Sequence, residues 1–304
     1  MRIYILNIIK SFSKRFLTFK NIWSISLYYG KTINNLSPCN NITIPILSSK
    51  SIKEKDVLGV ADPFVIIHNK TQYLFFEVIN RKSGKGDIGL ACSYDFGKFT
   101  YRQIVLSEPF HLSYPYVFKH TNEYYMVPES GQANSIRLYR AHNFPCEWRF
   151  ETEILHGNHY CDTSLFYFNN QWWLYTCLNH DTLLLFYSYR LYGPWKEHPK
   201  SPIVKGNTKI ARPGGRVLLS DDGSIIRFTQ DCATRYGRQV RAYRVSTLTN
   251  EAYEEEQLGQ GPILKPGACR WNRAGMHHID LVRDSHGGWL AFVDGYRIGL
   301  TRKF

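Results

Sequence analysis

The chain has 304 residues, a formal net charge of +13 at pH 7 and 15% aromatic residues. Its length is enough for one large domain with a buried core. Its charge favours an anionic partner such as a nucleotide, a phosphorylated glycan or an anionic lipid. The basic residues are scattered and no nucleic-acid-binding motif occurs, so nucleic acid is not a predicted partner. The seven cysteines are odd in number and lack any CxxC spacing, which predicts reduced core residues in a reducing, cytoplasmic setting.

The first twenty residues combine a short apolar run with the basic residues Lys10, Lys14, Arg15 and Lys20 that follow it. The run is too short to span a membrane as a helix. Most of the charges follow the run rather than precede it, unlike those of a secretory signal. One interpretation is a basic amphipathic helix on an anionic membrane face, which would make the protein membrane-peripheral. The other is a helix packed on the rest of the chain, which we predict to be a single domain over 21–304.

A pattern of strand, polar turn and strand recurs five times along the rest of the chain. Its first strands begin at Asp62, Tyr114, Asp162, Arg212 and His278. Periods of about 50 residues are typical of propeller blades. An antiparallel β sandwich is the alternative, but a polar residue repeatedly placed before an apolar strand favours the propeller. The sequence therefore predicts an all-β fold, a five-bladed β-propeller.

The predicted blades one to four cover about 60–106, 111–155, 160–204 and 210–258. Blade five runs out of chain shortly after Asp294. Two N-terminal segments, 22–29 and 42–47, have strand-like patterns. We expect these N-terminal strands to close blade five, which would remove exposed sheet edges.

In a propeller the first strand of each blade lines the central channel, so residues at its mouth point into a common funnel. The candidates at the strand starts are Asp62, His111, Tyr114, Asp162, Arg212, His277, His278 and Asp280. The candidates at the ends of second strands are Glu77, Glu129, Gln230, Asp231 and Asp294. Clustered carboxylates suit glycosidic chemistry. Each acid alone could equally cap a turn or strand, but equivalent positions in a repeat favour function.

Three of these features resemble the five-bladed glycosidases of glycoside hydrolase families 43 and 32: Asp62 before a proline, Asp162, and the turn at 193–195. The resemblance to family 43 implies that Asp62 is the general base and that Asp162 tunes pKa and orients the sugar. The family's general acid, a Glu opening blade four, is replaced by Arg212. A guanidinium cannot donate a proton near neutral pH but can clamp an anion, and Glu129 is then the candidate acid.

The adjacent residues His277 and His278 also allow a metal interpretation. Neighbouring side chains on a strand point to opposite faces, so at most one of the two faces the channel. The same resemblance implies a blade-five histidine beside a central calcium ion. A hydrogen-bonded structural histidine is the alternative, and no other cofactor is predicted.

A closer resemblance covers nearly the whole chain from Trp23. It is to the propeller-like N-terminal domain of glucosamine inositolphosphorylceramide transferases. The strings that carry it are those at 61–64, 75–77, 111–115, 127–130, 138–141, 230–232, 236–237, 277–280 and 293–295. It implies a role in surface-polysaccharide or glycolipid synthesis. The separate glycosyltransferase domain of the plant protein has no counterpart in this sequence, so a partner transferase is expected.

Three functions remain open at this point. The first is a carbohydrate-active propeller, glycosyl-transferring in type, that acts on a sugar-phosphate, nucleotide-sugar or phosphorylated glycan. Here Asp62, Glu129 and Asp162 are the candidate catalytic residues, and the other funnel residues bind substrate. The second is a propeller that binds glycan without catalysis. The third is a glycoside hydrolase of the family 43 or 32 type.

Overall fold

A computed structural model describes residues 17–39, 44–53, 56–220, 222–285 and 287–302. Within these residues the chain forms five four-stranded antiparallel sheets. The predicted five-bladed β-propeller is confirmed. None of the helical segments in the described ranges is long and apolar enough to cross a membrane.

The first two strands belong to the last blade, and the others follow in chain order. The strands are β1 (Leu17–Gly30), β2 (Ser37–Pro38), β3 (Val57–His68), β4 (Thr71–Asn80), β5 (Gly86–Ser93), β6 (Thr100–Leu106), β7 (Ser113–His120), β8 (Glu123–Glu129), β9 (Ser135–Asn143), β10 (Glu147–His156), β11 (Cys161–Phe168), β12 (Gln171–Leu178), β13 (Thr182–Ser188), β14 (Lys196–Glu197), β15 (Leu218–Leu219), β16 (Ile225–Asp231), β17 (Gln239–Leu248), β18 (Tyr253–Gln257), β19 (Ile279–Arg283) and β20 (Trp289–Arg302). Blades one to four are β3–β6, β7–β10, β11–β14 and β15–β18.

Blade five has the order β19-β20-β1-β2 and is closed by the N-terminal strands. β1 pairs with β20 along its whole length, from Leu17 opposite Arg302 to Gly30 opposite Trp289. The prediction of closure is therefore confirmed. Because the last blade takes strands from both ends of the chain, hydrogen bonds between β1 and β20 close the ring of blades.

The N-terminal region differs in detail from the sequence-based expectation. The fourth strand of blade five is β2, whereas the predicted segment 42–47 contributes only an isolated bridge from Leu47 to Ile25. The predicted basic segment 1–20 overlaps β1, which begins at Leu17. Residues 1–16 lie outside the described part of the chain.

The first strand of blade four is much shorter than the pattern at 212–218 predicts. Regular pairing is confined to β15, and Pro213 and Gly215 make only isolated bridges, to Thr229 and Ile279. Proline has no N–H to donate and glycine weakens a strand, which explains the interruption. The innermost layer of this blade is therefore irregular backbone, and its polar groups reach across the axis to other blades.

Aromatic side chains fill the space between the blades. Phe64, Tyr116, Trp172 and many aliphatic residues form one buried cluster joining blades one, two and three. β12 is buried along nearly its whole length because both of its faces pack against protein. The seven cysteines are free, as predicted, and Cys92, Cys161 and Cys177 are buried.

Candidate functional site

Three inner strands bend at equivalent positions to form the funnel. Asp62, Tyr114 and Asp162 have φ angles of 53°, 44° and 45°, and the strand register shifts beside each of them. A left-handed residue at a β-bulge redirects its side chain relative to the regular pleat. Non-glycine residues are uncommon in this conformation. The repeat recognised in the sequence is thus a repeated bulge at the mouth of the inner strands.

Arg212 joins two of the predicted acids at the centre. Its Nε donates to Asp162 Oδ2 at 2.5 Å, and its Nη2 donates to Glu129 Oε2 at 3.1 Å. Its Nη1 donates to Nδ1 of His180. Gln230 also donates to Asp162 through its side-chain amide. The structure therefore brings Asp162, Glu129, Arg212 and Gln230 into one buried hydrogen-bonded cluster.

The two carboxyls bound to Arg212 are driven towards opposite protonation states. Burial and the charge of Asp162 raise the pKa of Glu129 well above its usual range. Burial would also raise the pKa of Asp162, but the charge and hydrogen bond of Arg212 lower it. The two carboxyls also hydrogen-bond to each other. Glu129 is therefore the proton-bearing member and Asp162 the ionised one, which is the division of roles needed for acid catalysis.

Asp62 lies in a second cluster with the blade-five histidines. Asp294 organises this cluster: its Oδ1 accepts the backbone N–H of both His277 and His278 and the Nδ1–H of His277, and its Oδ2 accepts the backbone N–H of Asp62. Burial, together with the charges of Asp162 and Asp294, raises the pKa of Asp62 to about 7. Asp294 has four N–H partners and is a positioning residue within the channel.

An open cleft of about 550 Å³ lies above the Arg212 cluster between blades two and three. Its lining residues are His111, Glu129, Gln132, His159, Cys161, Asn179 and His180. Of the predicted catalytic residues, only Glu129 lines this cleft. Asp62 and Asp162 do not line it and are almost fully buried.

Two histidines of the cleft are held in a defined tautomer. His111 Nδ1 accepts the backbone N–H of Gly86 at 2.9 Å, and His180 Nδ1 accepts from Arg212. Burial and the charge of Arg212 lower the pKa of both rings. Each is therefore neutral with its proton on Nε2. His111 Nε2 lies 3.4 Å from Glu77 Oε1, and burial raises the pKa of Glu77 well above its usual range. Neutral N–H donors beside a protonated acid suit the hydroxyl groups of a sugar.

An aromatic side chain stands beside the two clusters. The Arg212 guanidinium lies 5.2 Å from the centre of the half-exposed Tyr236 ring, which also meets His277 edge-on at 5.4 Å. The next residue, Gly237, has φ +63°, and a Cβ there would lie 2.9 Å from both Trp23 and His277. A glycine is required at this turn for the chain to lie so close to His277.

Three predicted substrate-binding residues are engaged elsewhere in the protein. The Tyr114 hydroxyl accepts from Gly215 N at 2.8 Å and also bonds to Ser164, which ties blades two, three and four together. Asp280 forms a two-point ion pair with Arg216. Asp231 accepts from Arg241 and Gln239, on the face of β16 opposite Gln230. Their proposed contact with substrate stays a prediction.

The sequence reasoning missed most of the cleft lining. Gln132, His159, Cys161, Asn179 and His180 were not among the predicted residues, although all five line the cleft. Polar residues at the ends of second strands were selected in every blade except blade three. Asn179 and His180 directly follow β12, the second strand of that blade. The same rule would have found them.

The residues present do not fit the predicted central calcium ion. Asp62, His277 and Asp294 offer ligand atoms within 4.8 Å of one another. Calcium takes six to eight oxygen ligands, whereas this set includes an imidazole and an Asp294 oxygen already used by three N–H donors. A second cluster, Glu129, His159 and Cys161, has mixed donors that suit a transition metal. However, Arg212 already donates to Glu129, and burial raises the pKa of the Cys161 thiol.

The fold and the acid-lined funnel define the class as a five-bladed propeller with the architecture of glycoside hydrolases. The catalytic domain of a family 62 α-L-arabinofuranosidase from Coprinopsis cinerea aligns with a TM-score of 0.64 at 11% identity, covering 90% of this chain and 97% of that one. A family 43 protein from Bacillus licheniformis aligns with a TM-score of 0.53 at 15% identity, covering 71% of this chain and 47% of that one. These likenesses concern the fold.

The family is fixed by closer sequence similarity. Residues 19–296 match the family described as glucosamine inositolphosphorylceramide transferase 1, N-terminal. The transferase 1 protein of Oryza sativa subsp. japonica is 37% identical over 300 residues, and that of Arabidopsis thaliana is 34% identical over 301 residues; both alignments cover 91% of this chain. The chain belongs to this N-terminal domain family. It spans only 40% and 39% of the length of those two relatives.

Proposed function

We propose that this domain binds and acts on a phosphorylated or nucleotide-linked sugar during the synthesis of a glycolipid or surface glycan. The observation that carries the proposal is the contact of Arg212 with Asp162 and with Glu129, which lines an open cleft. The plant relatives are named glucosamine inositolphosphorylceramide transferase 1, and this name supports a glycolipid as the substrate class. Arg212 is almost fully buried behind Glu129 and His180, which line the cleft, so its charge would attract a bound phosphate without direct contact.

The chemistry follows from the protonation states. The raised pKa of Glu129 makes it the candidate to give a proton to the leaving oxygen of a glycosyl group as the bond from the anomeric carbon breaks. Arg212 cannot serve as the acid, so its charge instead keeps Asp162 ionised beside the forming positive charge of the sugar ring. Asp62, with a pKa of about 7, is the candidate base: its ionised form would take the proton of the attacking hydroxyl as that oxygen bonds to the anomeric carbon. The cleft histidines and Asn179 would hold the sugar hydroxyls.

Binding and turnover are tested separately. Saturation-transfer NMR with myo-inositol 1-phosphate, UDP-N-acetylglucosamine and free glucosamine would show which class of ligand binds. His180→Gln should weaken binding, whereas His156→Gln, on the exposed outer strand β10, should not. Glu129→Gln keeps the shape of the side chain but cannot act as an acid. This variant should retain binding and lose transfer of the sugar to an acceptor.

The outcomes separate the open alternatives. Unchanged binding and product in Glu129→Gln, Asp62→Asn and Arg212→Ala together would remove the site assignment. Binding without turnover in the wild-type protein would identify a non-catalytic glycan-binding propeller. The deep burial of Asp62 also favours this alternative. Release of reducing sugar from a neutral oligosaccharide, independent of Arg212, would identify a glycoside hydrolase.

The cellular setting is part of the same proposal. A cytoplasmic location is the setting that the free cysteines favour. Membrane contact through residues 1–20 remains a prediction, and residues 1–16 lie outside the described part of the chain.

A further inference from the structure

The paired strands β1 and β20 continue beyond the funnel as a two-stranded extension. Above the pair Trp23 and Tyr296, residues 17–22 stay paired with residues 297–302. We call these two segments the terminal ribbon. Trp23 stacks on His277 at 4.0 Å, so the ribbon rises from the end of the propeller that carries the candidate site.

The outer face of the terminal ribbon is apolar and exposed. Phe19 and Leu300 lie directly opposite each other and are 74% and 55% exposed. Ile298, two residues before Leu300 on the same face, is 54% exposed. Single exposed apolar residues are ordinary, but three neighbours on one sheet face mark an interaction surface.

The inner face is covered, so the two faces differ in kind. Gly299 and Thr301 are buried. A Cβ on Gly299 would lie 2.3 Å from Ile22 Cδ1 and 2.6 Å from Arg297 Nη1. The side chains of Ile22 and Arg297 therefore cover the inner face at Gly299. Lys20 Nζ donates to the Arg81 carbonyl at 3.3 Å and anchors the ribbon to blade one. The ribbon is thus held in place by its inner face and presents the outer one.

Basic residues surround this apolar face. Arg302 is exposed at the end of the ribbon, and Arg273 is exposed beside Ala274, whose N–H binds the Tyr296 carbonyl at 3.0 Å. Arg235 is exposed and hydrogen-bonds to Tyr296. In the sequence, Lys14 and Arg15 directly precede the ribbon. The nearby acid Asp56 is already paired with Arg81 at 2.7 Å.

We propose that the terminal ribbon docks the protein on an anionic lipid bilayer, with Phe19, Ile298 and Leu300 entering the interface. An apolar face edged by Arg and Lys is the pattern that binds such surfaces. A second copy of this chain fits less well, because two strongly basic ribbons would repel. Three exposed side chains also provide less than the roughly 800 Å² per partner of a standard interface. Docking would turn the cleft towards the lipid headgroups, and it does not depend on the proposed function.

Vesicle co-sedimentation of the full chain tests the proposal. The protein should bind vesicles of phosphatidylcholine and phosphatidylglycerol but not of phosphatidylcholine alone, and added salt should weaken binding. The double variant Phe19→Ser/Leu300→Ser should bind about tenfold more weakly. The matched control is Tyr94→Ser/Leu219→Ser, which removes residues 74% and 41% exposed at the opposite end of the propeller. In a further variant, Phe19→Trp, the tryptophan should be quenched by brominated lipid, and that of Tyr94→Trp should not.

Other results would overturn the inference. Equal binding by Phe19→Ser/Leu300→Ser and wild type, or loss of binding only in Lys14→Glu/Arg15→Glu, would remove the ribbon from the membrane contact. A wild-type dimer in solution that Phe19→Ser/Leu300→Ser dissociates would identify a second copy as the partner. Thermal unfolding and circular dichroism would confirm that each variant folds. Activity in the presence or absence of vesicles plays no part in the readout, so a failed function assignment would not be confused with a failed docking surface.

Discussion

Oδ1 of Asp62 lies 3.7 Å from Nδ1 of His278, and both side chains are buried. His278 Nε2 faces the Pro63 carbonyl at 3.0 Å, so it must be the protonated nitrogen. Burial lowers the pKa of His278 to about 4, which leaves the ring neutral and Nδ1 a bare acceptor with no hydrogen-bond partner. Two acceptors then face each other unless Asp62 carries a proton, in agreement with its raised pKa.

Asp62 should therefore make the protein less stable as the pH rises. Its pKa is about 7 when folded and about 4 when unfolded. Between these values the folded state holds a proton that the unfolded state has lost, so the free energy of unfolding falls with rising pH and levels off above pH 7. Asp62→Asn, which imitates the protonated acid, should remove this contribution to the slope and gain on the order of 4 kcal/mol over wild type at pH 8.

Urea unfolding of wild type and Asp62→Asn from pH 4 to pH 8 measures this difference. Asp95→Asn is the control, because hydrogen bonds from Gly97 and Lys98 lower the pKa of that exposed carboxylate. A lowered pKa contributes stability that is fully present above the unfolded pKa of about 4 and is lost as the pH falls through the folded pKa. The control curve should therefore run parallel to that of wild type over the measured range. Parallel curves for Asp62→Asn and wild type would show that Asp62 is ionised in the fold.

Removing Arg212 should be strongly destabilising. Asp162 would be left as a buried charge without its ion-pair partner, and such a loss costs about 3–5 kcal/mol. Combining Arg212→Met with Asp162→Asn and Glu129→Gln should recover part of this cost, because the buried charges are removed together.

Chemical denaturation provides the measurement for the Arg212 series. Arg140→Ala, which breaks a partly exposed pair with Glu151 at 3.2 Å, is the control and should cost no more than about 1 kcal/mol. If Arg212→Met were as mild as this control, Asp162 would not be an ionised partner of Arg212.

Gly215 should tolerate no side chain. It has φ +149°, and a Cβ there would lie 1.8 Å from the Ile279 carbonyl oxygen, where blades four and five bridge in parallel. Gly215→Ala must shift that backbone and disturb the N–H bond to Tyr114, and we expect a loss of at least about 3 kcal/mol.

The comparison for Gly215→Ala is Gly261→Ala, where no heavy atom lies within 4 Å of the added Cβ. Thermal melting of both variants should show a large drop only for the first. Equal melting temperatures would mean that the centre of blade four can move away from blade five.

Much of the architecture was predictable because it repeats along the chain. Asp62, Tyr114 and Asp162 are polar residues before apolar strands, and each lies at the equivalent bulge of its own blade. The closure of blade five was also predicted, because the N-terminal segment 22–29 has a strand-like pattern. The irregular inner strand of blade four was not predicted. The pattern at 212–218 was judged by the polarity of its side chains, whereas Pro213 and Gly215 interrupt the strand through their backbone.

The sequence alone determined the fold, its repeat and which residues stand at the mouth of each inner strand, because strand periodicity is a local property of neighbouring residues. Only the tertiary structure decided what those residues do. Arg212 meets Asp162 and Glu129 from sequence separations of 50 and 83 residues. Tyr114, at the same place in its blade as Asp62, instead binds Gly215 across the axis. Partners, burial and therefore pKa values are set by packing between blades, and the distance between two side chains across the axis is not encoded in their local pattern.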